Sequence, residues 1–260
     1  MKITKHISFF YLENRFIYIN KIIDETNNYE FITDIYIHTN NKDLNKDIFN
    51  KYTNGIIKII CHDLTNINPY YLTWKCRDLL KKQKNDYDIF IYIEDDILVP
   101  YKAIKYWLKY SPKLISLNYN LGFLRIETDK NNTEFITDLD GQQFDTIINL
   151  NNNYYCLNNK NPYCAFWIYT KEEFNKFVNS KYYDCNNNIH EKYCIREKSA
   201  IGLTNSYLIT LIPIINNNLI DDCKIYHMPN NYVLNKYSLF GTIKFDDCIK
   251  KDLNNLYIPN

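Results

Sequence analysis

Apolar runs and amphipathic segments alternate along the first hundred residues of the chain. Four runs rich in β-branched and aromatic residues predict strands, at 6–11, 32–39, 55–62 and 87–94. Two segments between them repeat apolar residues at helical spacing, 13–28 and 68–86, and the second opens on Asn68-Pro69, a typical helix start. Apolar strands separated by helices indicate an α/β fold with a Rossmann-like, mainly parallel sheet flanked by helices.

The second half of the chain follows a less regular pattern. Thr170 and Glu173 form the capping-box pattern that starts a helix, and the Asn run at 151–153 predicts a loop or a turn. The predicted helices lie at 99–111, 171–178 and 190–203, and the predicted strands at 120–128, 134–140, 165–170, 207–215 and 223–228. We expect a smaller, more antiparallel region here. It should be continuous with the first half, because no Pro, Gly or Ser linker separates them.

Composition narrows the possible functions. Of 260 residues, 46% are hydrophobic, and the net charge of +1 gives no electrostatic case for binding nucleic acid or a membrane surface. The eight cysteines include no C-x-x-C pair, which argues against zinc and favours free thiols in a reducing compartment. No apolar stretch is long enough for a membrane span and the amino terminus does not resemble a signal peptide, so we expect a cytoplasmic protein. With five glycines and no Gly-rich phosphate motif, a loop-cradled nucleotide is implausible.

Glu94-Asp95-Asp96 is the strongest chemical signal in the sequence. The triplet follows the apolar strand 87–94 directly, and ligands of parallel sheets bind at the carboxyl ends of the strands. Three neighbouring carboxylates repel one another unless a cation lies among them. Oxygen ligands suit magnesium or manganese, with phosphates completing the coordination shell. A solvated acidic turn that begins the next helix is the alternative explanation.

In this position the triplet resembles the acidic Asp-x-Asp motif of nucleotide-diphospho-sugar glycosyltransferases of the GT-A fold, with Glu94 as a variant first residue. The resemblance implies a single GT-A-like domain over 1–260, with a nucleotide-sugar-binding half at about 1–110 and an acceptor-binding half at about 111–260. It implies that Asp96 binds Mn²⁺ or Mg²⁺, that Glu94 contacts the metal or the donor, and that Asp95 supports both. The partners would be a nucleotide-sugar donor and a hydroxyl acceptor on a glycan, protein or lipid.

Aromatic and cationic residues give weaker indications. Trp74 and Arg77 share one face of the helix predicted at 68–86, where a ring beside a guanidinium could hold the donor nucleotide. Packing of the ring and solvation of the arginine explain the same pattern. Phe166 and Trp167 follow the small residues Cys164-Ala165, and by the resemblance they could stack on a sugar or an acceptor. Ordinary core packing explains them equally well.

Two further roles rest on the resemblance. Inverting enzymes of this fold use a carboxylate near a helix start as the base for the acceptor hydroxyl, and Glu197 and Glu191 are the candidates, with Glu197 preferred. Some members use a late histidine as a metal ligand, a role that falls to His227. A solvated helix face would explain the two glutamates, and a structural hydrogen bond would explain the histidine.

Two other functional classes fit the same sequence. A metal-dependent phosphoester hydrolase could hold one or two ions at Glu94 and Asp96, but it requires further converging carboxylates, and those at 221–222 and 246–247 are scattered. A non-catalytic binding protein on a transferase scaffold has no need for an intact acidic triplet. Glycosyl transfer with a divalent metal is therefore the leading hypothesis.

Overall fold

The computed structural model of the chain describes residues 1–185, 193–203, 209–216, 218–233, 235 and 237–250. The chain forms two compact units, Met1–Tyr101 with Ala165–Leu203, and Lys102–Cys164 with Thr204–Asn260. The predicted division near residue 110 differs from this in one respect. Residues 165–203, expected in the acceptor half, return to the first unit.

Strands account for most of the regular structure, and the class is mixed α/β as predicted. In chain order the strands are β1 (Lys2–Phe9), β2 (Ile32–Thr39), β3 (Ile57–Cys61), β4 (Ile89–Glu94), β5 (Ile97–Leu98), β6 (Tyr119–Leu121), β7 (Leu124–Thr128), β8 (Glu134–Ile136), β9 (Ile147–Leu150), β10 (Asn153–Leu157), β11 (Phe166–Thr170), β12 (Ile209–Ile215), β13 (Asn218–Leu219), β14 (Lys224–His227) and β15 (Ile243–Lys244).

The helices lie close to their predicted positions. They are α1 (Phe16–Asn27), α2 (Arg77–Lys82), α3 (Tyr101–Ser116), α4 (Lys171–Val178) and α5 (Ile195–Ile201), with 3-10 turns at Glu13–Arg15, Lys46–Phe49, Pro69–Trp74, Lys181–Tyr183, Asp221–Cys223 and Phe245–Asp247. Within the described ranges, no helix has both the length and the apolar character needed to cross a membrane.

The sheet of the first unit has the strand order β11-β4-β1-β2-β3. β1 to β4 run parallel, as predicted, and only the edge strand β11 is antiparallel to its neighbour β4. The carboxyl ends of the four parallel strands therefore meet at one edge of the sheet. The register pairs Ser8 of β1 with Glu94 of β4, which places the amino-terminal loop after β1 beside the acidic triplet.

The helix predicted over 68–86 is shorter than expected. Asn68 caps its start as predicted, and the Asn68 side chain accepts a hydrogen bond of 3.0 Å from the backbone N–H of Tyr70. The segment Pro69–Trp74 then forms a 3-10 turn, and α-helix is confined to Arg77–Lys82. Aromatic and β-branched residues lose side-chain freedom in an α-helix, which explains why Tyr-Tyr-Leu-Thr-Trp does not extend it.

The second unit is mainly antiparallel, as predicted. One sheet has the order β13-β12-β10-β9, with β6 beside β12, and β15-β8-β7-β14 lie in a second. The loop or turn predicted at 151–153 is the turn of the β9–β10 hairpin, whose two strands were not predicted. Asn151 and Asn152 have φ of 51° and 60°, the left-handed conformation of a tight hairpin turn.

Three histidines form a row across β1, β2 and the end of β3, in which His6 and His38 are buried and His62 is partly exposed. His6 Nε2 lies 2.9 Å from Gln83 Oε1, which can only accept, so Nε2 carries the His6 proton. His6 Nδ1 then accepts from His38 Nε2, and His38 Nδ1 accepts from His62 Nε2, each at 2.9 Å. Burial lowers the pKa of all three, that of His6 to about 3, so the row is neutral at physiological pH.

Lys5 is a charged residue in the core of the first unit. Its Nζ donates to Thr26 Oγ1 at 2.5 Å and to the Tyr29 hydroxyl at 3.0 Å, and no carboxylate in the described chain forms an ion pair with it. Burial lowers its pKa from 10.5 to about 7. The unfolded chain therefore binds a proton between these two values that the folded chain does not, and the Lys5 contribution to stability rises with pH across that window.

We expect Lys5→Met to stabilise the protein at pH 7 by roughly 1–4 kcal/mol, because it removes the cost of burying the amine. Thr26 and Tyr29 still donate to the carbonyls of Ile22 and Val99, so neither hydroxyl loses its donor bond. Urea unfolding of wild type and variant from pH 7 to 10 measures the effect. The gap between them should narrow as pH rises, whereas the exposed control Lys21→Met should follow wild type. A constant gap would contradict a near-neutral pKa for Lys5.

Candidate active site

The acidic triplet lies where β4 leaves the sheet. The backbone N–H of Glu94 donates to the carbonyl of Ala165 and that of Asp95 to the carbonyl of Ser8, both at 3.1 Å. These bonds hold the turn between β11 and β1. Glu94, Asp95 and Asp96 are only 5–6% exposed, so three carboxylates are concentrated in a region that excludes most water.

Arg15 binds two of the three carboxylates. Its Nε and Nη2 donate to the two oxygens of Asp95 at 2.7 and 2.6 Å, and Nη2 also donates to Asp96 Oδ2 at 2.7 Å. Such two-pronged contacts are the strong form of a charge-assisted hydrogen bond. Burial raises the pKa of Asp95 above its usual range even though Arg15 opposes the shift. Arg15 is therefore the main cation that balances the triplet in this structure.

A second guanidinium approaches the remaining carboxylate. Arg196, near the start of α5, places its Nε 3.5 Å from Glu94 Oε2. The exposed ring of Tyr70 lies 5.6 Å from the same guanidinium. Both arginines line a cavity of about 240 Å³ together with Glu94 and Asp95. The rest of its wall is formed by Ser8, Phe10, Leu12, Pro69, Tyr70, Leu72 and Thr73. The cavity thus presents carboxylates and guanidinium groups to the same ligand.

Trp74 and Arg77 do not line this cavity. Trp74 donates its indole N–H to the carbonyl of Ile195 at 2.9 Å, and Arg77 Nη2 donates to the carbonyl of Ser199 at 2.7 Å. Both side chains belong to the wall of a larger cavity of about 930 Å³. The ring and the guanidinium do lie together as expected, 5.1 Å apart, but their proposed contact with a donor nucleotide stays a prediction.

Phe166 and Trp167 lie in the core. Trp167 stacks with Tyr92 and with Tyr169, with ring centroids 5.6 and 5.0 Å apart, and its indole N–H donates to the carbonyl of Ser199. Phe166 and Trp167 are 5% and 3% exposed. The structure gives both rings a packing role in β11, and their burial does not support the expected stacking on an acceptor.

Glu197 has a local role in its own helix. Its Oε2 accepts a hydrogen bond of 2.8 Å from the backbone N–H of Cys194, and the two residues form a capping box at the start of α5. This contact explains a glutamate at this position without reference to catalysis, and the role of Glu197 as a base stays a prediction. The other candidate, Glu191, lies outside the described residues.

His227 ends β14 in the second unit. Its Nδ1 lies 2.5 Å from Glu127 Oε1, and Glu127 Oε2 accepts from the backbone N–H groups of Tyr232 and Val233 at 2.8 Å. The carboxylate therefore fixes the orientation of the imidazole. Metal-bound histidines commonly have this support, and so do structural ones, so a metal role for His227 stays a prediction.

No group of three or more His, Cys, Asp and Glu side chains in the described part of the chain is arranged to hold a metal ion. The carboxylates of the triplet form ion pairs with arginines, Asp95 and Asp96 with Arg15 and Glu94 with Arg196. Elsewhere Asp221, one of the scattered carboxylates that a hydrolase would need, pairs with Lys102 at 3.0 Å and with Lys224.

Sequence reasoning missed both arginines of the site. Arg15 belongs to the loop after β1, and the carboxyl ends of parallel strands meet at one edge, so a cation in this loop could have been assigned to the triplet. Arg196 gave no such signal. Its approach to Glu94 depends on the return of 195–201 to the first unit, which periodicity does not reveal.

Comparison with known proteins adds little beyond these observations. No protein-family model matches the chain, and no curated protein is similar to it in sequence. A crystal structure of S. aureus TarS 1-349 is similar with a TM-score of 0.43 and 10% identity, over 81% of this chain and 58% of that chain. A second crystal structure of S. aureus TarS is similar with a TM-score of 0.45 and 11% identity, over 88% of this chain and 37% of that chain. The chain thus spans little more than half the length of the first structure and about a third of the second.

We expect Arg15→Gln to lower the free energy of unfolding by about 2–4 kcal/mol, because it leaves buried carboxylates without their cation. Urea unfolding at pH 7 measures the loss. Lys21→Gln on the exposed face of α1 removes the same charge and should change stability by less than about 0.5 kcal/mol. Equal stabilities for Arg15→Gln and wild type would show that the Arg15 contacts do not hold the triplet.

Proposed function

We propose that the chain is a metal-dependent glycosyltransferase of the GT-A type, which moves a sugar from a nucleoside-diphosphate donor to a hydroxyl acceptor. The observation that carries the proposal is the buried Glu94-Asp95-Asp96 triplet at the carboxyl end of β4, of which Glu94 and Asp95 line a cavity together with Arg15 and Arg196. A cavity with both signs of charge suits a ligand that brings a cation and an anion together, as a metal diphosphate does.

The side chains present fit a divalent metal. Magnesium in nucleotide sites commonly uses one or two protein carboxylates, and phosphates and water supply the remaining ligands. In our proposal Asp96 and Glu94 hold the ion and Asp95 remains with Arg15, which already binds both of its oxygens. The bound ion supplies Lewis-acid stabilisation of the diphosphate leaving group. His227, whose imidazole Glu127 orients, stays a proposed metal ligand.

The two arginines are proposed to bind the diphosphate. A guanidinium matches phosphate oxygens in two-pronged geometry, and both groups already line the cavity beside the carboxylates. Arg196 Nε lies 3.5 Å from Glu94 Oε2, whereas Arg15 Nη2 contacts Asp95 and Asp96 at 2.6 and 2.7 Å. As negative charge develops on the diphosphate leaving group, the two arginines and the metal would stabilise it together.

The nucleoside is proposed to lie in an adjoining cavity of about 570 Å³. This cavity follows the carboxyl ends of β1, β2 and β3, and it shares Phe10 and Pro69 with the acidic cavity. Half-exposed Phe10 offers a ring face to a base, and Asn40, Asn41 and Asp63 offer hydrogen-bonding groups. Binding across the strand ends is the general rule for sheets of this kind.

We expect Asp96→Asn to abolish metal-dependent donor binding while leaving the fold intact, because the amide keeps the shape of the carboxylate and loses its charge. Calorimetric titration of a panel of nucleoside-diphosphate sugars, with and without Mn²⁺, measures the effect. Asp24→Asn on the exposed face of α1 is the matched control and should bind like wild type. If Asp96→Asn kept the manganese dependence of wild type, the metal site would have to be placed elsewhere.

We expect Glu197→Gln to reduce turnover by roughly 100- to 10,000-fold with donor affinity nearly unchanged, if Glu197 is the general base of an inverting reaction. Glutamine also serves in a capping box, so α5 should keep its stability, and a thermal melt checks this. Turnover is measured with the donor identified in the calorimetric panel. Normal turnover would remove Glu197 from the mechanism and favour Glu191 or a retaining reaction.

A further inference from the structure

The larger cavity of the first unit, of about 930 Å³, has an excess of positive charge. Its wall includes side chains at the ends of β2 and β3 and Tyr183–Cys185, together with Ile67, Tyr71, Trp74, Lys75, Arg77, Asp78, Leu79, Lys81 and Lys82. Among the described residues of the wall, four cationic side chains, Lys75, Arg77, Lys81 and Lys82, face two carboxylates, Asp78 and Asp184. His62 also lines it and is neutral, because burial lowers its pKa. The formal charge of the wall favours an anionic ligand.

Arg77 is the most unusual group in this wall. It is 6% exposed, and only Nη2 has a hydrogen-bond acceptor, the carbonyl of Ser199 at 2.7 Å. Its Nε and Nη1 are buried without hydrogen-bond partners. Nearby aromatic rings approach the guanidinium at 4.7–5.4 Å, those of Trp74, Trp167, Phe177 and Tyr183. No carboxylate in the described part of the chain pairs with Arg77. A buried charge without a counter-ion is costly, and an anion in the cavity would offset that cost.

The lysines extend the positive charge from the buried guanidinium to the mouth of the cavity. Lys81 and Lys82 are exposed and Lys75 is half-buried. None of the three forms an ion pair among the residues that the structure describes. Apolar side chains complete the wall, among them Ile60, Tyr71 and Trp74. The cavity thus combines a deep charge, a cationic rim and an aromatic surface.

We propose that this cavity is a second binding site, for a ligand that carries two or more phosphate-type negative charges next to an apolar or ring-shaped group. Arg77 provides the deep charge, Lys75, Lys81 and Lys82 bind the outer charges, and Trp74 and Tyr71 contact the uncharged part. This site shares no wall residue with the acidic cavity around Glu94 and only His62 with the adjoining nucleoside cavity. The proposal does not depend on the transferase assignment.

Binding of inorganic tripolyphosphate to the full chain in EDTA tests the site, because chelation silences a metal-dependent donor site. Wild type should bind, and Lys81→Glu combined with Lys82→Glu should weaken the affinity at least about tenfold, since two attractive charges become repulsive. The double variant Lys21→Glu and Lys51→Glu carries the same net charge on exposed residues outside the cavity and should bind like wild type. Lys75→Gln should show a smaller loss of affinity than the Lys81→Glu and Lys82→Glu double variant, here called the rim variant. Circular dichroism checks the fold of each variant.

A further variant separates the two cavities. Arg196→Gln changes the acidic cavity alone and should leave tripolyphosphate affinity unchanged. Failure of wild type to bind, or equal weakening by the rim variant and its charge-matched control, would overturn the proposal. So would a loss confined to Arg196→Gln, which would place the anion beside Glu94. Loss of donor binding in Asp96→Asn with normal tripolyphosphate affinity would support two independent sites. If the chain proves not to be a transferase, wild type should still bind tripolyphosphate.

Discussion

The first unit depends on keeping three neighbouring carboxylates buried at the end of one strand. Their mutual repulsion and the loss of hydration both oppose folding, so cations must be brought to them. Two arginines far apart in the chain, Arg15 and Arg196, meet this need. The loop after β1 and the start of α5 are thereby tied to β4. The three carboxylates that destabilise the fold are therefore also the centre of the candidate site.

The sheet makes that arrangement possible. Parallel order places the ends of β1 and β4 side by side, so the loop that carries Arg15 begins next to the triplet. On the other side the chain enters β11 through Ala165, which has a φ of 54° and accepts the Glu94 N–H. A residue with a Cβ bears some strain in this conformation. The strain is located at the turn that fixes the triplet, where the local hydrogen bonds offset it.

The sequence predicted the parts of the fold that rest on local periodicity. Strands β2 and β4, helix α1 and the capping box at Thr170 follow from spacing and side-chain type, and the structure has them within a few residues. The strands of the β9–β10 hairpin were not predicted, although the turn between them at Asn151-Asn152 was. Of the candidate site, the sequence predicts only Glu94 to Asp96, because they lie at the end of β4. Arg15 could have been inferred from the parallel order of β1 and β4, whereas the Arg196 contact spans about 100 residues of sequence and no local pattern reveals it.

The two cavities show how the same residue types take different roles in one unit. In the acidic cavity each arginine has a carboxylate partner, so an anionic ligand can bind there only if a metal or a rearranged arginine compensates for the added charge. In the larger cavity Arg77 faces aromatic rings, and no carboxylate among the described residues pairs with it, so an anion would offset its charge. The first cavity is therefore suited to an anion that arrives with its cation, and the second to an anion alone. A nucleotide sugar with its metal is a ligand of the first kind. This difference in charge balance is why Trp74 and Arg77, although they pair as the sequence suggested, are better assigned to a site of their own.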